Sequence, residues 1–471
     1  MSLSDTTLCE AFQLGPFTVP RLWTGLWQLS STAWGSASAA KIRQGMMRHY
    51  SHGFTAFALR KPVSALKADH YGGSEILFGQ FRESLPPPQR AIGATKWCVF
   101  KPTDPSRAVV EAAVRERLTR MRSSSVDLLQ VRIAQDAHQQ TADTGSDQQF
   151  HWQDYSDKGY MTALRQLQDL QREGLITTLG LCNFDTARTD EICTQLGPGA
   201  IVSNQVQFSL IDTRPLHGMA DVCEKHGIKL LTYGSMCGGF LADAWLQQPE
   251  PDPYSGALTP SQRKYLDVIM KAWGDWPLFQ ELLGVLRSVG DRHDGASIAN
   301  VAARWVLDHP FVGAVLVGTR LGVSEHPDDN RNVFRFALTE QDRAEIGSGV
   351  GKVQRAEDDY QSLGTVGQNT ADADPKTIGR AVYPTSSSIR LLSSRSTGQL
   401  NTTSLQYLSN SDGVSDSDVE DTKRAESQLN SASTRLGPPH IRFTAHHRNQ
   451  QGGVIFGPHS SRSIASHPRH A

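Results

Sequence analysis

Three apolar runs within Gly174–Gly239 constrain the fold of this chain more than any other feature. They span Thr177–Asn183, Ala200–Leu210 and Ile228–Gly234, and helix-patterned segments separate them. Strands that alternate with helices at this spacing are parallel and are joined by right-handed crossovers. Each run is hydrophobic nearly throughout, as expected for strands that are covered on both faces. The segment therefore predicts a parallel α/β sheet, in which ligands bind at the carboxyl ends of the strands.

The same alternation extends over residues 20–346 and predicts about eight strands, each followed by a helix. Length and alternation together indicate a (β/α)8 TIM barrel, which we place at residues 14–350. The competing fold is an open doubly wound sheet, which usually has a glycine-rich turn after its first strand. The corresponding stretch, Trp23–Ser30, contains only Gly25. The barrel is therefore the predicted fold.

Two connections receive specific predictions. Asp104 and Pro105 are expected to open a helix, because Asp is a good cap and Pro suits the first helical position. The long stretch Gly238–Lys271 contains several prolines and is predicted to be a connecting loop. Loops of this length are often functional, so we expect it to shape the substrate pocket.

The composition changes at about Gly351. Ser, Thr, Asn, Gln and Asp dominate residues 351–471, and serines cluster there. Such a segment cannot bury enough apolar surface to offset the entropy that ordering costs. We predict a low-complexity, disordered tail over residues 351–471, with a small interaction domain as the alternative.

Charge and cysteine usage exclude several classes of protein. The net charge is −1, so no global field favours nucleic acid or a membrane. The cysteines are scattered without paired spacing, which is typical of a reducing compartment. Histidines from His440 onwards lack the fixed spacing of metal ligands. With no signal-peptide pattern and no long apolar run, we expect a cytoplasmic protein without a resident metal.

Three polar side chains, Tyr71, Lys96 and His151, stand at or just after predicted strand ends. In a barrel such positions converge on one mouth. Hydride addition to a carbonyl builds negative charge on its oxygen, which requires a proton donor and hydrogen bonds. An ammonium beside a phenol lowers the phenol pKa from its usual value near 10. Taken singly, each residue is more often explained by packing or surface exposure.

Several short motifs resemble those of the aldo-keto reductase family, in the family's order. They are Ala68–Glu75 with Leu77–Gly79, Thr95–Lys96, Phe150–Trp152, Gly180–Phe184, Asn204–Gln205, Leu231–Gly234, Gly318–Arg320 and Asp329–Phe334. One motif alone would be weak evidence, but the set spans residues 14–346 and is highly specific. The resemblance implies a (β/α)8 barrel that binds NADP(H) without a Rossmann domain.

The resemblance also implies a role for each matched residue. Tyr71 would be the proton donor, Lys96 the neighbour that lowers its pKa, and His151 the group that orients the carbonyl. The implied cofactor residues are Cys182, Asn183 and Gln205 at the carboxamide, Tyr233 and Gly234 at the nicotinamide ring, and Gly318, Thr319, Arg320, Asp329 and Asn330 towards the adenosine. A guanidinium such as that of Arg320 suits a 2′-phosphate. Trp27 and Trp152 would wall the substrate pocket.

The chain departs from the family pattern at the second strand. The family has an aspartate there, five residues before the tyrosine, which pairs with the lysine. Counting back from Tyr71 gives Leu66 at this position, whereas counting forward from the strand gives Ala58. Neither residue is acidic, and extra residues lie at about 58–67.

A second departure is an insertion at about residues 131–149. It separates Leu128–Gln130 from Phe150–Trp152, which are one continuous strand in the family. Interrupting a barrel strand is more serious than lengthening a loop, because the strand must rejoin its neighbours in the correct register.

These observations predict an NADP(H)-dependent enzyme that reduces a small aldehyde or ketone, with activity impaired by the missing aspartate. A barrel that binds NADP(H) as a sensor or partner subunit, without turnover, is the first alternative. An interaction protein that acts through its serine-rich tail is the second. The resemblance does not identify the carbonyl substrate.

Overall fold

A computed structural model describes residues 9–30, 34–59, 73–98, 104–132 and 158–351. Contacts divide the chain into residues 1–383 and 384–471, and the whole of the second unit lies outside the described ranges. The predicted boundary near residue 350 and the predicted tail therefore stay predictions.

The strands form a short hairpin and a closed barrel. The hairpin is β1 (Ala11–Leu14) and β2 (Phe17–Pro20), and the barrel strands are β3 (Leu22–Gly25), β4 (Ala56–Ala58), β5 (Ile92–Cys98), β6 (Val126–Arg132), β7 (Ile176–Cys182), β8 (Ile201–Gln207), β9 (Lys229–Tyr233) and β10 (Val312–Gly318). Each barrel strand pairs in parallel with the next, and β10 closes the ring against β3 with Gly318 opposite Gly25. The predicted (β/α)8 barrel is confirmed, and the open sheet is excluded.

Helices surround the barrel. They are α1 (Ala39–Ser51), α2 (Gly73–Glu83), α3 (Arg107–Met121), α4 (Gly159–Arg172), α5 (Thr186–Leu196), α6 (Met219–His226), α7 (Pro260–Ala272), α8 (Trp276–Arg292), α9 (Ile298–Leu307), α10 (Pro327–Arg331) and α11 (Glu340–Gly351). Ser38, Asp185 and Ser297 each accept a backbone N–H in the first turn of the helix that follows. These caps explain where α1, α5 and α9 begin, because the first backbone N–H groups of a helix lack partners within it.

Two local predictions were wrong. The segment Gly238–Lys271 is not a loop throughout, because α7 begins at Pro260. Thr259 and Gln262 form a capping box there, with Pro260 at the first helical position. The helix predicted to open at Asp104 begins at Arg107 instead, because Ser106 adopts the extended conformation of an N-cap residue.

Alternate residues of each strand face the barrel axis and the helices. The residues packed around the axis are Leu14, Val19, Trp23, Ala56, Ala58, Ile92, Ala94, Leu128, Leu231, Ala314 and Leu316. Leu14 and Val19 belong to the hairpin, which closes the N-terminal end of the barrel. Trp23 is fully buried and donates its indole N–H to Pro20 O at 2.7 Å. Truncating a buried Trp typically costs about 3–5 kcal/mol, so this contact fixes the hairpin beneath the barrel.

The same alternation places polar residues at the opposite end. Leu129, Leu181 and Val206 pack outward against the helices. Their neighbours along the strands therefore face the axis, and towards the carboxyl ends these inward residues are polar. They include Lys96, Gln130, Cys182, Gln205 and Tyr233. In the part of the chain that is described, no helix is long and apolar enough to cross a membrane.

Candidate active site

A polar layer covers the apolar inner core at the carboxyl ends of the strands. Lys96 and Gln205 are 6% and 7% exposed, and Gln130 is fully buried. Gln130 donates to Leu181 O at 3.4 Å, which joins β6 to β7 within this layer. Buried polar groups are costly unless they are bonded or meet a ligand, so the layer marks this mouth as the functional end.

Lys96 is held by a backbone carbonyl at the end of β4. Its ammonium donates to Leu59 O at 3.3 Å. Ala58 belongs to the inner core and pairs with Ala94, two residues before Lys96 on β5. The family's aspartate would therefore face the lysine from the position of Ala58, where this chain has a methyl group.

Glu75 ties the beginning of α2 to the strand that bears Lys96. Its buried carboxylate accepts a short hydrogen bond from Thr95 Oγ1. It also forms an ion pair with Arg120, whose Nη1 lies 2.9 Å from the carboxylate. Because Thr95 belongs to β5, this contact fixes α2 against that strand. Thr95 directly precedes Lys96, so the contact lies beside the lysine. The sequence motif contains Glu75, but its role became evident only from the packing of the two elements.

Tyr71, His151 and Trp152 lie outside the described residues. After Tyr71 the described chain resumes at Gly73. After His151 and Trp152 it resumes at Lys158. Of the predicted catalytic residues, only Lys96 lies in the part of the chain that the structure describes, and the catalytic roles of Tyr71, Lys96 and His151 all stay predictions.

Asn183, Gln205 and Tyr233 form a bonded group across β7, β8 and β9. The Tyr233 hydroxyl donates to Asn183 Oδ1 at 3.0 Å, and Asn183 N–H donates to Gln205 O at 3.0 Å. Asn183 has a φ of 64°, a left-handed conformation that asparagine tolerates better than most residues. Cys182, the residue before it, is opposite Gln205 in the strand pairing.

The side-chain oxygen of Gln205 is buried and accepts no hydrogen bond from the residues described. Leaving such an acceptor unpaired costs about 1–3 kcal/mol. The amino group of a nicotinamide carboxamide is a donor of the required kind, so Gln205 fits the predicted cofactor. Cys182 fits less well, because a thiol is a weak donor.

The segment after β9 is shaped by Tyr265 of α7. Gly234 has a φ of +72°, and a Cβ there would collide with the Tyr265 hydroxyl, so glycine is required. Burial raises the pKa of Tyr265 above its usual range, which keeps this phenol neutral. Lys264 Nζ lies 5.6 Å from the centroid of the Tyr233 ring and 5.1 Å from that of Tyr265. These contacts hold the Tyr233 ring at the mouth.

The turn after β10 is fixed to β3 and α1. Thr319 N–H donates to Gly25 O at 3.0 Å, and Arg320 O accepts the N–H groups of Val323 and Ser324 at 2.9 Å. Later in the turn, Glu325 accepts two bonds from Arg48 of α1, at 2.8 and 3.2 Å. Gly318, Thr319 and Arg320 therefore lie on a rigid turn at the carboxyl end of the barrel.

The Asp329 carboxylate is engaged by the first turn of α9. It accepts from Ser297 Oγ at 3.2 Å and from Asn300 Nδ2 at 3.1 Å. Asn330 N–H donates to His326 O within α10. These bonds tie Asp329 to the N-cap residue Ser297 and to Asn300 of α9, and adenosine binding by Asp329 and Asn330 stays a prediction.

Two tryptophans line the mouth beside β3. The Trp27 and Trp34 rings meet edge to face with centroids 4.5 Å apart. Trp34 donates its indole N–H to Ser261 Oγ of α7 at 3.1 Å. The sequence prediction named Trp27 but not Trp34, because the link to α7 joins positions 227 residues apart.

The chain matches the Aldo/keto reductase family over residues 21–349. It belongs to this family. Flagellar radial spoke protein 5 of Chlamydomonas reinhardtii is 34% identical over 134 residues, which are 28% of this chain and 24% of that protein. Aldo-keto reductase YhdN of Bacillus subtilis is 23% identical over 329 residues, 68% of this chain and 84% of that protein.

The solved structure of an aldo-keto reductase from Klebsiella pneumoniae in complex with NADPH has the same fold. It is 17% identical, with a TM-score of 0.51, and the alignment covers 74% of this chain and 97% of that one. The sequence-based family assignment is thus confirmed.

Proposed function

We propose that this aldo/keto reductase family member reduces an aldehyde or ketone with NADP(H), and that Tyr71 supplies the proton. The unpaired, buried oxygen of Gln205 beside the Tyr233–Asn183 hydrogen bond is the observation that supports this most directly. The amino group of a nicotinamide carboxamide would donate a hydrogen bond to this Gln205 oxygen.

The cofactor would lie across the carboxyl ends of β7 to β10. Cys182, Asn183 and Gln205 would hold its carboxamide, and Tyr233 would stack on its ring. The solved Klebsiella relative contains NADPH, which favours the same dinucleotide here. At the other end, the guanidinium of Arg320 suits the 2′-phosphate that distinguishes NADP(H) from NAD(H).

When bound, NADPH supplies the hydride to the carbonyl carbon. Lys96 favours loss of the Tyr71 proton, because an ammonium nearby lowers the pKa of a phenol. Tyr71 then protonates the developing alkoxide, while His151 holds the oxygen by a hydrogen bond. Trp27 and Trp152 would bound the substrate on its apolar side.

A second candidate is a barrel that binds NADP(H) without turnover. The observation that favours it is Ala58, which offers no carboxylate at one of the two positions predicted for the family's aspartate. We propose that activity is retained but reduced, and the order of the other family motifs and the bonded group of Asn183, Gln205 and Tyr233 support this.

Two measurements on the purified protein test this proposal. NADPH is titrated against the protein fluorescence, and NADPH oxidation is followed with a panel of generic aldehydes and ketones. Binding with turnover that exceeds a Tyr71→Phe variant is the expected result. Binding without such turnover favours the second candidate, and absence of NADPH binding contradicts both.

We also propose that residues 352–471 are a disordered tail and that the protein is cytoplasmic. Removing the tail should leave NADPH affinity and turnover unchanged. A loss of either quantity would show that the tail contributes to the barrel, and a lost partner would support the interaction role.

A further inference from the structure

A cavity of about 500 Å³ lies at the end of the barrel opposite the mouth. Its walls come from the last turn of α2 with the segment that joins it to β5, from the turn between α3 and β6, and from the beginning of β7. Its polar groups belong to Arg82, Arg90, Thr177 and serines 123–125. The volume lies within the range of small-molecule sites, which is about 300–1,000 Å³.

A buried carboxylate holds two guanidinium groups in this cavity. Asp127 is fully buried at the start of β6, and it accepts from Arg82 Nη1 at 3.1 Å, from Arg82 Nη2 at 3.3 Å and from Arg90 Nη2 at 2.5 Å. The Arg90 guanidinium also lies 5.1 Å from the centroid of the Phe17 ring of β2. Both arginines are therefore ordered in advance, so a ligand would not lose affinity by fixing them.

The cavity carries more positive charge than these contacts neutralise. One carboxylate faces two guanidiniums, and the neighbouring charges of Glu83 and Arg122 cancel in an ion pair of 2.5 Å. Arg90 donates one of its five N–H groups and Arg82 donates two, and the others have no acceptor among the described residues. Ser124 is exposed in the same cavity, and its hydroxyl makes no hydrogen bond within that part of the chain.

The number of free donors favours a phosphate group over a carboxylate. Guanidinium groups bind either anion through paired N–H donors. A carboxylate offers two oxygens, whereas a phosphate monoester offers three terminal oxygens and a charge of about −1.5 to −2 near pH 7. The two guanidiniums and the Ser124 hydroxyl supply donors for three oxygens, and the cavity has room for the group that is esterified to the phosphate.

We propose that this cavity binds a small phosphate monoester at the N-terminal end of the barrel. Arg82 and Arg90 neutralise the phosphate, and the Ser124 hydroxyl donates a hydrogen bond to it. This site is separate from the proposed function, since none of the three residues is predicted to contact the cofactor or the carbonyl.

Isothermal titration calorimetry with phenyl phosphate tests the proposal. Arg90→Gln removes one guanidinium and leaves Asp127 bonded to Arg82, so we expect the Kd for phenyl phosphate to rise about tenfold or more. The matched control is Arg115→Gln on α3. The Arg115 side chain is 60% exposed and bonds to Glu111, and its loss should leave the Kd unchanged.

Ser124→Asp places a carboxylate in the cavity without removing a side-chain hydrogen bond from the described structure. We expect the Kd for phenyl phosphate to rise about tenfold or more at low salt, and added salt should reduce this effect because it screens the repulsion. Ser51→Asp, at an exposed position in α1, adds the same charge elsewhere and should leave the Kd unchanged. Thermal unfolding shows whether each variant is folded.

Two further titrations identify the ligand and its location. Inorganic phosphate should bind several times more weakly than phenyl phosphate, because it leaves most of the cavity empty, and equal Kd values would overturn the assignment to an ester. Arg320→Gln, at the mouth, should leave the phenyl phosphate Kd unchanged. A Kd that rises in Arg320→Gln but not in Arg90→Gln would place the anion at the mouth and overturn the proposal.

Absence of phenyl phosphate binding by the wild type would also overturn the proposal. So would an unchanged Kd in both Arg90→Gln and Ser124→Asp. Neither result bears on NADPH binding or turnover, so the proposed function is tested separately.

Discussion

The two sides of the barrel mouth differ in the length of their strands and in how many of the predicted functional residues they carry. On the side proposed for the cofactor, β7, β8 and β10 have seven residues each, and the predicted cofactor residues Cys182, Gln205 and Gly318 lie at or near their carboxyl ends. On the side proposed for the carbonyl, β4 has only three residues and includes Ala58, one of the two positions predicted for the family's aspartate. Its pairing with β3 is confined to two residue pairs, in which Thr24 is opposite Phe57 and Gly25 is opposite Ala58.

This difference separates two functions that depend on different stretches of sequence. In the proposed function, dinucleotide binding relies on residues from Cys182 to Asn330, whereas proton donation relies on residues from Ala58 to His151. A change on the carbonyl side can therefore reduce turnover while affinity for NADPH is kept. The predictions that follow test this separation.

The largest effect is expected from Lys96→Met, which removes the ammonium that donates to Leu59 O at the end of β4. We expect kcat to fall about 100-fold or more, within the range for general acid–base groups, and the NADPH Kd to change less than about twofold. Steady-state kinetics and fluorescence titration measure the two quantities. The matched control is Lys225→Met on the exposed face of α6. A lost affinity with unchanged kcat would reverse the assignment of the two sides.

A stability effect of similar size is expected from His49 on the cofactor side. Its Nδ1 lies 2.9 Å from Thr24 Oγ1 of β3, and burial lowers its pKa from 6.5 to about 4. Between these values the unfolded chain binds a proton that the folded protein does not, so stability falls as the pH falls. We expect the free energy of unfolding to be about 2 kcal/mol lower at pH 5 than at pH 7 from this group.

Urea denaturation at the two pH values measures this difference. His49→Gln should remove that share of the pH dependence, whereas His326→Gln, at an exposed position, should preserve it. If His49→Gln and the wild type lose the same stability on acidification, His49 is not the responsible group.

Ala58→Asp should repair the carbonyl side. A carboxylate here would face Lys96 and hold it by a charge-assisted bond, so we expect kcat to rise about tenfold, equivalent to about 1.4 kcal/mol. NADPH affinity should not change. The control is Ala56→Asp, which places the carboxylate deeper in the apolar inner core and should destabilise the fold. A lower kcat in folded Ala58→Asp would show that the site does not depend on this pair.

The smallest effect is expected from Tyr233→Phe, which keeps the ring and removes the hydrogen bond to Asn183. We expect the NADPH Kd to rise about fivefold at most, with kcat nearly unchanged, because a neutral hydrogen bond contributes about 1 kcal/mol. Tyr254→Phe, at a position that is 67% exposed, is the control. An unchanged NADPH Kd would show that the hydrogen bond between Tyr233 and Asn183 does not contribute to cofactor binding.

Local patterns predicted most of the barrel because its elements satisfy their preferences locally. Strands buried on both faces are apolar throughout, so β7, β8 and β9 were predicted within a few residues of their bounds. Helix α7 was missed although Thr259, Pro260 and Gln262 form a recognisable start, since the surrounding prolines favoured a loop.

The site was only partly predictable. The motif residues Asn183, Gln205 and Tyr233 were named from the resemblance, and the structure brings them into hydrogen-bond contact. Trp34 and Glu75 gave no local signal, because each acts through a partner far away in sequence: Ser261 and Thr95.

The sequence by itself determined the alternation of strands and helices, the family and the identity of the polar residues, because these depend on side-chain type and spacing. Only the tertiary structure decided that Ala58 pairs with Ala94, two residues before Lys96, that Asp329 bonds to the side chain of Ser297 at the start of α9, and that Gln28 lies across Gly318. Barrel closure brings strands from opposite ends of the chain together, and those contacts depend on register and direction, which no single segment specifies.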